Sequence, residues 1–271
     1  MENKNSASEY LGHHFGDILR RLGRAAINLA LPFAPDFVMN DAHKLTPEML
    51  DKAFPSANVV VFDIEGTLEN YKEPRVSDET RTLIKRLQDA GYVIAINSNA
   101  PDAKRTEMVH EMFDELLGED LVITSYDAEK VGYKHGGKPH SSMLDLTEKR
   151  IQQNPSRQSW NRQNFIMVGD QLFKDVLAGK NANVKTLYVN KYGPDDHEMV
   201  ARLQRGHEHR FMRSVGFKAL QGVIGRYQPL DLPDEMTKVR DFRKQNFITT
   251  RVPDKSSNVV NADETEEPSG Y

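Results

Sequence analysis

The sequence predicts an α/β fold in three layers (α/β/α), with a five-stranded parallel sheet between helices. Two observations predict it. Five short apolar runs recur after residue 58, and helical patterns of apolar residues separate them. Runs that are apolar throughout are typical of strands buried on both faces of a sheet. The five runs are 59–62, 92–96, 121–123, 165–168 and 186–189.

Helix boundaries are expected between these strands. Ser77 and Asp102 are placed to cap two helices, because their side chains can accept hydrogen bonds from the first turn. Gly91 is placed to end the first of them, and Pro139 to open another. The alternation of strand and helix predicts a parallel sheet that is covered on both faces.

Composition limits the class of protein. The 271 residues suffice for one α/β domain with extensions, and a mean hydropathy of −0.64 indicates that part of the chain is unpacked. The absence of cysteine excludes disulfides and thiolate metal sites. A net charge of −4 shows no basic excess, so we expect no nucleic acid as partner. No run reaches the roughly 18 apolar residues of a membrane span.

Four segments are predicted along the chain. They are an N-terminal amphipathic extension (1–30), an α/β domain (31–192), a helical extension (193–242) and a disordered acidic tail (243–271). Apolar residues recur at helical spacing within 11–30, and Arg20, Arg21 and Arg24 lie largely off that stripe. The helix either packs on the domain or lies on anionic lipid as a peripheral contact. We expect a cytoplasmic protein in the first case and one at a membrane surface in the second.

Polar side chains follow three of the predicted strands. Parallel strands bring the residues after their carboxyl ends to one edge of the sheet, where open α/β sheets bind ligands. Lys138 lies between the third and fourth strands, directly before a predicted helix. The candidate site residues are Asp63, Glu65 and Thr67, then Ser98 and Asn99, then Lys138, and finally Asp170 and Asp175.

These residue types suit phosphoryl transfer. Carboxylates gathered at one edge repel each other unless a cation lies among them, and a site with few oxygen ligands suits Mg²⁺. A carboxylate such as Asp63 can attack phosphorus, and a second acid, Glu65, can protonate the leaving oxygen and then activate water. Lys138 and Ser98 can hold the phosphate oxygens. Each residue alone is more often a helix cap, a surface lysine or a turn residue; their common position beside the sheet indicates a site.

The same residues resemble the haloacid dehalogenase superfamily. Its first motif, four apolar residues followed by DxDGT, matches residues 59–67, and its last motif, Gly-Asp-x4-Asp, matches Asp170 and Asp175. Ser98 and Lys138 match the residues of the two motifs between. The resemblance implies that Mg²⁺ would be held by the carboxylates of Asp63 and Asp170 and the backbone carbonyl of Glu65. It also implies that Asp175 supports this metal site, and that Thr67, Ser98, Asn99 and Lys138 contact the substrate.

One residue departs from the commonest form of the first motif. Glu65 stands where most phosphatases of the superfamily have Asp, and its side chain is one methylene longer. The enolase-phosphatase branch also reads Asp-Ile-Glu-Gly-Thr, so the resemblance remains compatible with Glu65 as general acid and base.

Within the superfamily, the sequence is similar to subfamily IIIA, the YqeG-type proteins related to phosphatidylglycerophosphate phosphatase. The likeness covers about residues 31–190 and includes Asn97-Ser98-Asn99 and the string Gly169-Asp-Gln-Leu-Phe-Lys-Asp175. Only 35 positions separate Asp63 from Ser98 and 40 separate Ser98 from Lys138, which leaves no room for a large cap domain.

The resulting expectation is a Mg²⁺-dependent phosphomonoester hydrolase that forms an aspartyl-phosphate and takes a phosphorylated small molecule or a phospholipid head group. Phosphatidylglycerophosphate, and hence phospholipid metabolism, is the first substrate hypothesis. One alternative is a phosphatase of a soluble nucleotide, sugar phosphate or phosphoprotein. The other is a catalytically impaired phosphate-binding or scaffold protein.

Overall fold

A parallel sheet with one short antiparallel edge strand organises the chain. The computed structural model describes residues 33–71, 73–118 and 121–193, and the backbone of Met236–Thr237. The strands follow the order β4-β3-β2-β5-β6-β1-β7, and every neighbouring pair is parallel except β1 and β7. They are β1 (Phe37–Met39), β2 (Val59–Phe62), β3 (Val93–Ser98), β4 (Val122–Thr124), β5 (Phe165–Gly169), β6 (Lys185–Val189) and β7 (Met236–Thr237).

The sequence predicted five parallel strands, whereas the described residues form six. The additional parallel strand is β1, whose three residues are all buried and pair with β6 in the register Phe37 to Leu187. Three apolar residues are too few to produce a periodic pattern, so this strand is defined by its partner rather than by its own sequence. Strand β7 lies in the segment predicted as a helical extension. Residues 194–235 and 238–242 of that segment, the acidic tail and residues 1–30 lie outside the described part.

Helices connect the strands and cover the sheet. The α-helices of the described residues are α1 (Pro47–Ala53), α2 (Asp78–Asp89), α3 (Ala103–Leu117), α4 (Ser125–Lys130), α5 (Ser142–Gln152) and α6 (Leu177–Asn181). Ser77 and Asp102 cap α2 and α3 as predicted. Gly91, one residue past the C-cap of α2, has the positive φ of 93° that favours glycine. The prediction that Pro139 opens a helix was wrong, because α5 begins at Ser142.

Two apolar clusters lie on opposite faces of the sheet. Val60 and Phe62 of β2 face one cluster, which includes residues of α1, α2 and α3. Val59 and Val61 face the other, which includes residues of α5 and α6. Alternate residues of a strand point to opposite faces, so the apolar run of β2 serves both clusters. This confirms the three-layer α/β/α architecture.

The direction in which the chain adds strands to the sheet reverses between β2 and β5. From β2 the chain proceeds to β3 and β4 on one side, whereas β5 and β6 lie on the other. Ligands of open α/β sheets bind at such a reversal, beyond the carboxyl ends of the strands. In the described residues, the connections from β2 to β3 and from β3 to β4 hold only loops with α2 and α3, and no cap domain. None of the helices that the structure describes is long and apolar enough to cross a membrane.

Candidate active site

Three carboxylates meet at the carboxyl ends of the two central strands. Asp63 directly follows β2 and Asp170 directly follows β5, and the backbone N–H of Asp63 donates to Val168 O at 3.0 Å. Asp175 lies on the π-helical turn Leu172–Val176 that follows. All three side chains are buried, and each offers an oxygen within 4.8 Å of the others. The parallel pairing of β2 and β5 therefore creates the concentration of negative charge that the sequence predicted.

Lys138 supplies the positive charge inside this cluster. Its buried ammonium group donates to Oδ1 of Asp63 and, at 2.6 Å, to Oδ1 of Asp175. It also donates to the backbone carbonyl of Asn97 at 3.1 Å. Because a buried charge is costly unless it is paired and hydrogen bonded, the two carboxylates and the carbonyl together hold the lysine in place.

Burial and mutual repulsion perturb the titration of the cluster. Burial raises the pKa of Asp63 to about 7, helped by the negative charges of Asp175 and Asp170 and opposed by Lys138. Burial alone would lower the pKa of Lys138, but the ion pairs with Asp175 and Asp63 outweigh it and raise that pKa above its usual value. A buried carboxyl in this pKa range is typical of functional sites.

Asp175 anchors the loop that carries Asp170. Its Oδ2 accepts a hydrogen bond from the backbone N–H of Gln171 at 3.0 Å, while its Oδ1 accepts from Lys138. Gly169 permits this approach, since a Cβ there would lie 2.3 Å from Cγ of Asp175. Asp175 therefore uses both oxygens to hold neighbouring parts of the site.

Asn99 directly follows β3, and its side chain contacts the main chain of Lys138. Its Oδ1 accepts from the backbone N–H of Lys138 at 2.8 Å, and its Nδ2 donates to the carbonyl of the same residue at 3.3 Å. The sequence suggested that Asn99 contacts substrate. In the structure, its amide fixes the main chain of Lys138.

Two hydroxyl groups lie near the same strand ends. Ser98 is the last residue of β3 and is buried. Thr67 is also buried, and among the described residues its hydroxyl has no hydrogen-bond partner. An unpartnered buried hydroxyl is uncommon and leaves a donor for a bound group.

Glu65 is held by a residue that the sequence reasoning missed. Nη2 of Arg105, in the first turn of α3, donates to Oε1 of Glu65 at 2.5 Å. Both side chains are partly exposed, and Glu65 is not one of the three grouped carboxylates. The sequence does contain a signal for this residue. Lys104 and Arg105 both lie in the first turn of a helix, where a positive charge is unfavourable because the N-terminal end of the helix dipole is also positive.

The arrangement fits a divalent cation. Three buried carboxylates carry up to three negative charges, and Lys138 offsets one of them. Oxygen ligands from few side chains suit Mg²⁺. The residues that could hold the ion are Asp63 and Asp170, with Asp175 and Lys138 around them. The backbone carbonyl of Glu65, implied as a ligand by the sequence resemblance, belongs to the loop after Asp63.

Known proteins resemble this chain at the level of sequence. It is 25% identical over 181 residues to a glyceraldehyde 3-phosphate phosphatase of Pyrococcus abyssi, a match that covers 67% of this chain and 58% of that protein. It is 21% identical over 183 residues to the probable phosphatase YqeG of Bacillus subtilis, covering 68% of this chain and 91% of that one. The chain thus spans less than two thirds of the length of the Pyrococcus protein.

A solved structure and a family pattern also match. A hydrolase of the haloacid dehalogenase-like family from Brucella suis superimposes with a TM-score of 0.43 at 12% identity, covering 56% of this chain and 95% of that one. Residues 33–183, more than half of the chain, match the family described as haloacid dehalogenase-like hydrolase. That range contains all eight candidate site residues, and the chain belongs to the haloacid dehalogenase-like hydrolases.

Proposed function

We propose that the protein is a phosphatase that hydrolyses phosphomonoesters through an aspartyl-phosphate on Asp63, with Mg²⁺ as cofactor. The observation that carries the proposal is the buried cluster of Asp63, Asp170 and Asp175 with the Lys138 ammonium group between two of the carboxylates. The phosphatase names of the two relatives support it.

The first half of the proposed reaction forms a bond between Asp63 and phosphorus. A carboxylate oxygen of Asp63 attacks, the bond from phosphorus to the ester oxygen breaks, and Glu65 gives that oxygen a proton. In the second half, water attacks the phosphorus of the aspartyl-phosphate, Glu65 takes a proton from the water, and inorganic phosphate leaves. Asp63 and Glu65 thus return to their starting states.

The surrounding residues bind and orient the phosphate in this proposal. Lys138 neutralises charge on the phosphate oxygens, and the buried hydroxyls of Thr67 and Ser98 donate hydrogen bonds to them. Asn99 keeps the main chain of Lys138 in position. When bound by Asp63 and Asp170, Mg²⁺ would lower the repulsion between the attacking carboxylate and the phosphate.

For the substrate, we propose phosphatidylglycerophosphate first. Two observations support a substrate that is bulky or part of a surface. The described connections around the site contain no cap domain, and the sequence resembles the YqeG-type proteins. Residues 11–30 would then bring the enzyme to the lipid. In this proposal residues 31–192 form the catalytic domain, 1–30 and 193–242 are extensions, and 243–271 form an acidic tail.

A soluble phosphate ester is the second candidate, and the name of the Pyrococcus relative favours it. An open site admits small sugar phosphates, nucleotides or phosphoproteins as well as lipids. The third candidate is a phosphate-binding or scaffold protein with impaired turnover. It is considered because Glu65 replaces the usual aspartate, and its longer side chain could misplace the proton donor.

The deciding experiment is phosphate release from a panel of esters in Mg²⁺ or EDTA. The panel contains phosphatidylglycerophosphate in micelles, glyceraldehyde 3-phosphate and a nucleoside monophosphate. We compare the wild type with Asp63→Asn and with Asp89→Asn, an exposed control. We expect Mg²⁺-dependent turnover that Asp63→Asn lowers about a thousandfold or more and that Asp89→Asn leaves unchanged.

The other outcomes separate the candidates. Higher kcat/KM for a soluble ester than for the lipid would replace the substrate hypothesis. Absence of turnover on every ester by the wild type would favour the binding protein, and a gain of activity in Glu65→Asp would identify an impaired enzyme. Turnover that survives in Asp63→Asn would exclude Asp63 as the nucleophile.

A further inference from the structure

We infer that Arg105 is a positioning residue that orients the carboxylate of Glu65 for proton transfer. The inference rests on the proposed phosphatase function and adds a residue to it. Arg105 lies outside the motifs that identify the family and was not among the candidates from sequence.

The guanidinium group of Arg105 makes two contacts besides its own helix turn's cap. Nη2 donates to Oε1 of Glu65 at 2.5 Å, and Nη1 contacts Sδ of Met108 at 3.4 Å. The main chain of Arg105 is fixed as well, because its N–H donates to the capping carboxylate of Asp102 at 2.9 Å. A donor held in this way can restrict the carboxylate that it contacts.

The length of Glu65 makes such a partner useful. Glutamate has one more rotatable bond than aspartate, and its carboxylate lies about 1.5 Å farther from the backbone. A longer side chain can occupy more rotamers, and proton transfer requires one geometry. Arg105 can select one rotamer of Glu65, because it holds the carboxylate from a separate segment: Arg105 belongs to the helix after β3, whereas Glu65 belongs to the loop after β2.

A role limited to stability explains the pair less well. The two side chains keep 19% and 27% of their surface exposed, so the ion pair is neither fully buried nor freely solvated. The positive charge of Arg105 in the first turn of α3 is unfavourable for the helix, because the N-terminal end of the helix dipole is also positive. Arg105 also lines a groove of about 610 Å³ along α3. Because both side chains are partly exposed, a leaving group could reach the pair.

The test exploits the difference between leaving groups. The nitrophenolate of p-nitrophenyl phosphate leaves without a proton, whereas the alkoxide of glycerol 3-phosphate requires one. We measure kcat/KM for both esters, because this ratio reports on the step that forms the aspartyl-phosphate. We expect Arg105→Gln to lower it about tenfold or more for glycerol 3-phosphate and less than about threefold for the aryl ester.

Matched variants separate positioning from charge. Lys104 is the exposed residue directly before Arg105, and Lys104→Gln removes the same charge there. We expect this variant to leave the kcat/KM of one ester relative to that of the other unchanged. Arg105→Lys keeps the charge but lacks the planar fork, so we expect a loss between wild type and Arg105→Gln. Glu65→Gln should show the same selective loss on glycerol 3-phosphate as Arg105→Gln. The double variant, with both Glu65→Gln and Arg105→Gln, should lose no more activity than Glu65→Gln alone.

Several outcomes would overturn the inference while leaving the phosphatase intact. These are an equal loss on both esters, no loss in Arg105→Gln, or additive losses in the double variant. If Arg105→Gln fails to fold, as thermal unfolding would reveal, the selective loss in Arg105→Lys decides in its place. A wild type that hydrolyses no phosphate ester, phosphatidylglycerophosphate included, or an Asp63→Asn variant as active as wild type, would refute the proposed function itself and the role of Arg105 with it.

Discussion

The ammonium group of Lys138 lies 2.6 Å from Oδ1 of Asp175, and the same group contacts Asp63. Asp175 in turn holds the backbone N–H of Gln171, the residue after Asp170. The lysine from the loop before α5 and the acids after β2 and β5 are thus parts of one hydrogen-bonded unit. Changes to one member should affect both the charge of the site and its geometry.

Replacing Lys138 with methionine should abolish turnover and destabilise the fold. The substitution keeps much of the side-chain volume but leaves Asp63 and Asp175 buried without their cation. Removing one partner of a buried ion pair typically costs about 3 to 5 kcal/mol. Urea unfolding measures the loss of stability, and phosphate release measures the activity. Lys134→Met, at an exposed position of the same loop, is the control, and a similar stability loss in both variants would contradict the argument.

Mg²⁺ should stabilise the folded protein, and Asp170→Asn should weaken this effect. A ligand that binds only the folded state adds about 2.7 kcal/mol at one hundred times its Kd. The wild type should therefore unfold at a higher temperature in Mg²⁺ than in EDTA, independently of any substrate. Asp89→Asn removes an exposed carboxylate and should retain the full shift. An undiminished shift in Asp170→Asn would remove this carboxylate from the metal site.

Much of the sheet could be predicted because its strands carry local patterns. The run at 59–62 is apolar throughout and is followed by Asp63, so both the strand and the position of its carboxylate can be read from adjacent residues. Strand β1 could not be found in this way, because only its pairing with β6 distinguishes Phe37–Met39 from a short apolar loop.

The contacts of side chains across the site were less accessible to sequence reasoning. Lys138 and Asp63 are 75 positions apart, and the common edge of a parallel sheet was enough to bring them together in the prediction. The contact between Arg105 and Glu65 depends on how α3 is placed over the loop after β2, which no local pattern encodes. The orientation of the Asn99 amide toward the main chain of Lys138 likewise depends on loop geometry.

Replacing Gly169 with alanine should impair the site through Asp175. The added Cβ would lie 2.3 Å from Cγ of Asp175 and 2.4 Å from its Oδ2, so the carboxylate has to move. We expect a loss of about 1 to 3 kcal/mol in stability, typical of overpacking, and a lower kcat. Urea unfolding and phosphate release measure the two effects. Gly118→Ala is the steric control, because a Cβ there meets nothing within 4 Å, although its φ of 88° adds backbone strain. Unchanged activity in Gly169→Ala would show that Asp175 can shift without consequence.

The last prediction concerns pH and the ion pairs of His110. This residue of α3 contacts Asp114 through Nδ1 and Asp127 through Nε2, each at 3.0 Å. Burial tends to lower the pKa of His110, but the hydrogen bonds to Asp127 and Asp114 outweigh it, and the pKa is raised above its usual value. A histidine with both ring nitrogens on carboxylates is suited to the doubly protonated form.

The sign of the pH dependence follows from this direction. A folded-state pKa above the unfolded value of about 6.5 gives a stabilisation that is complete below that pH and is lost as pH rises through the folded pKa. Wild type should therefore exceed His110→Gln in unfolding free energy by about 0.5 to 1 kcal/mol at pH 6, and by less at pH 9. Urea unfolding across this range measures the difference, and His140→Gln, an exposed histidine, is the control. A difference that stays constant from pH 6 to pH 9 would mean that the charge of His110 does not hold α3 to α4.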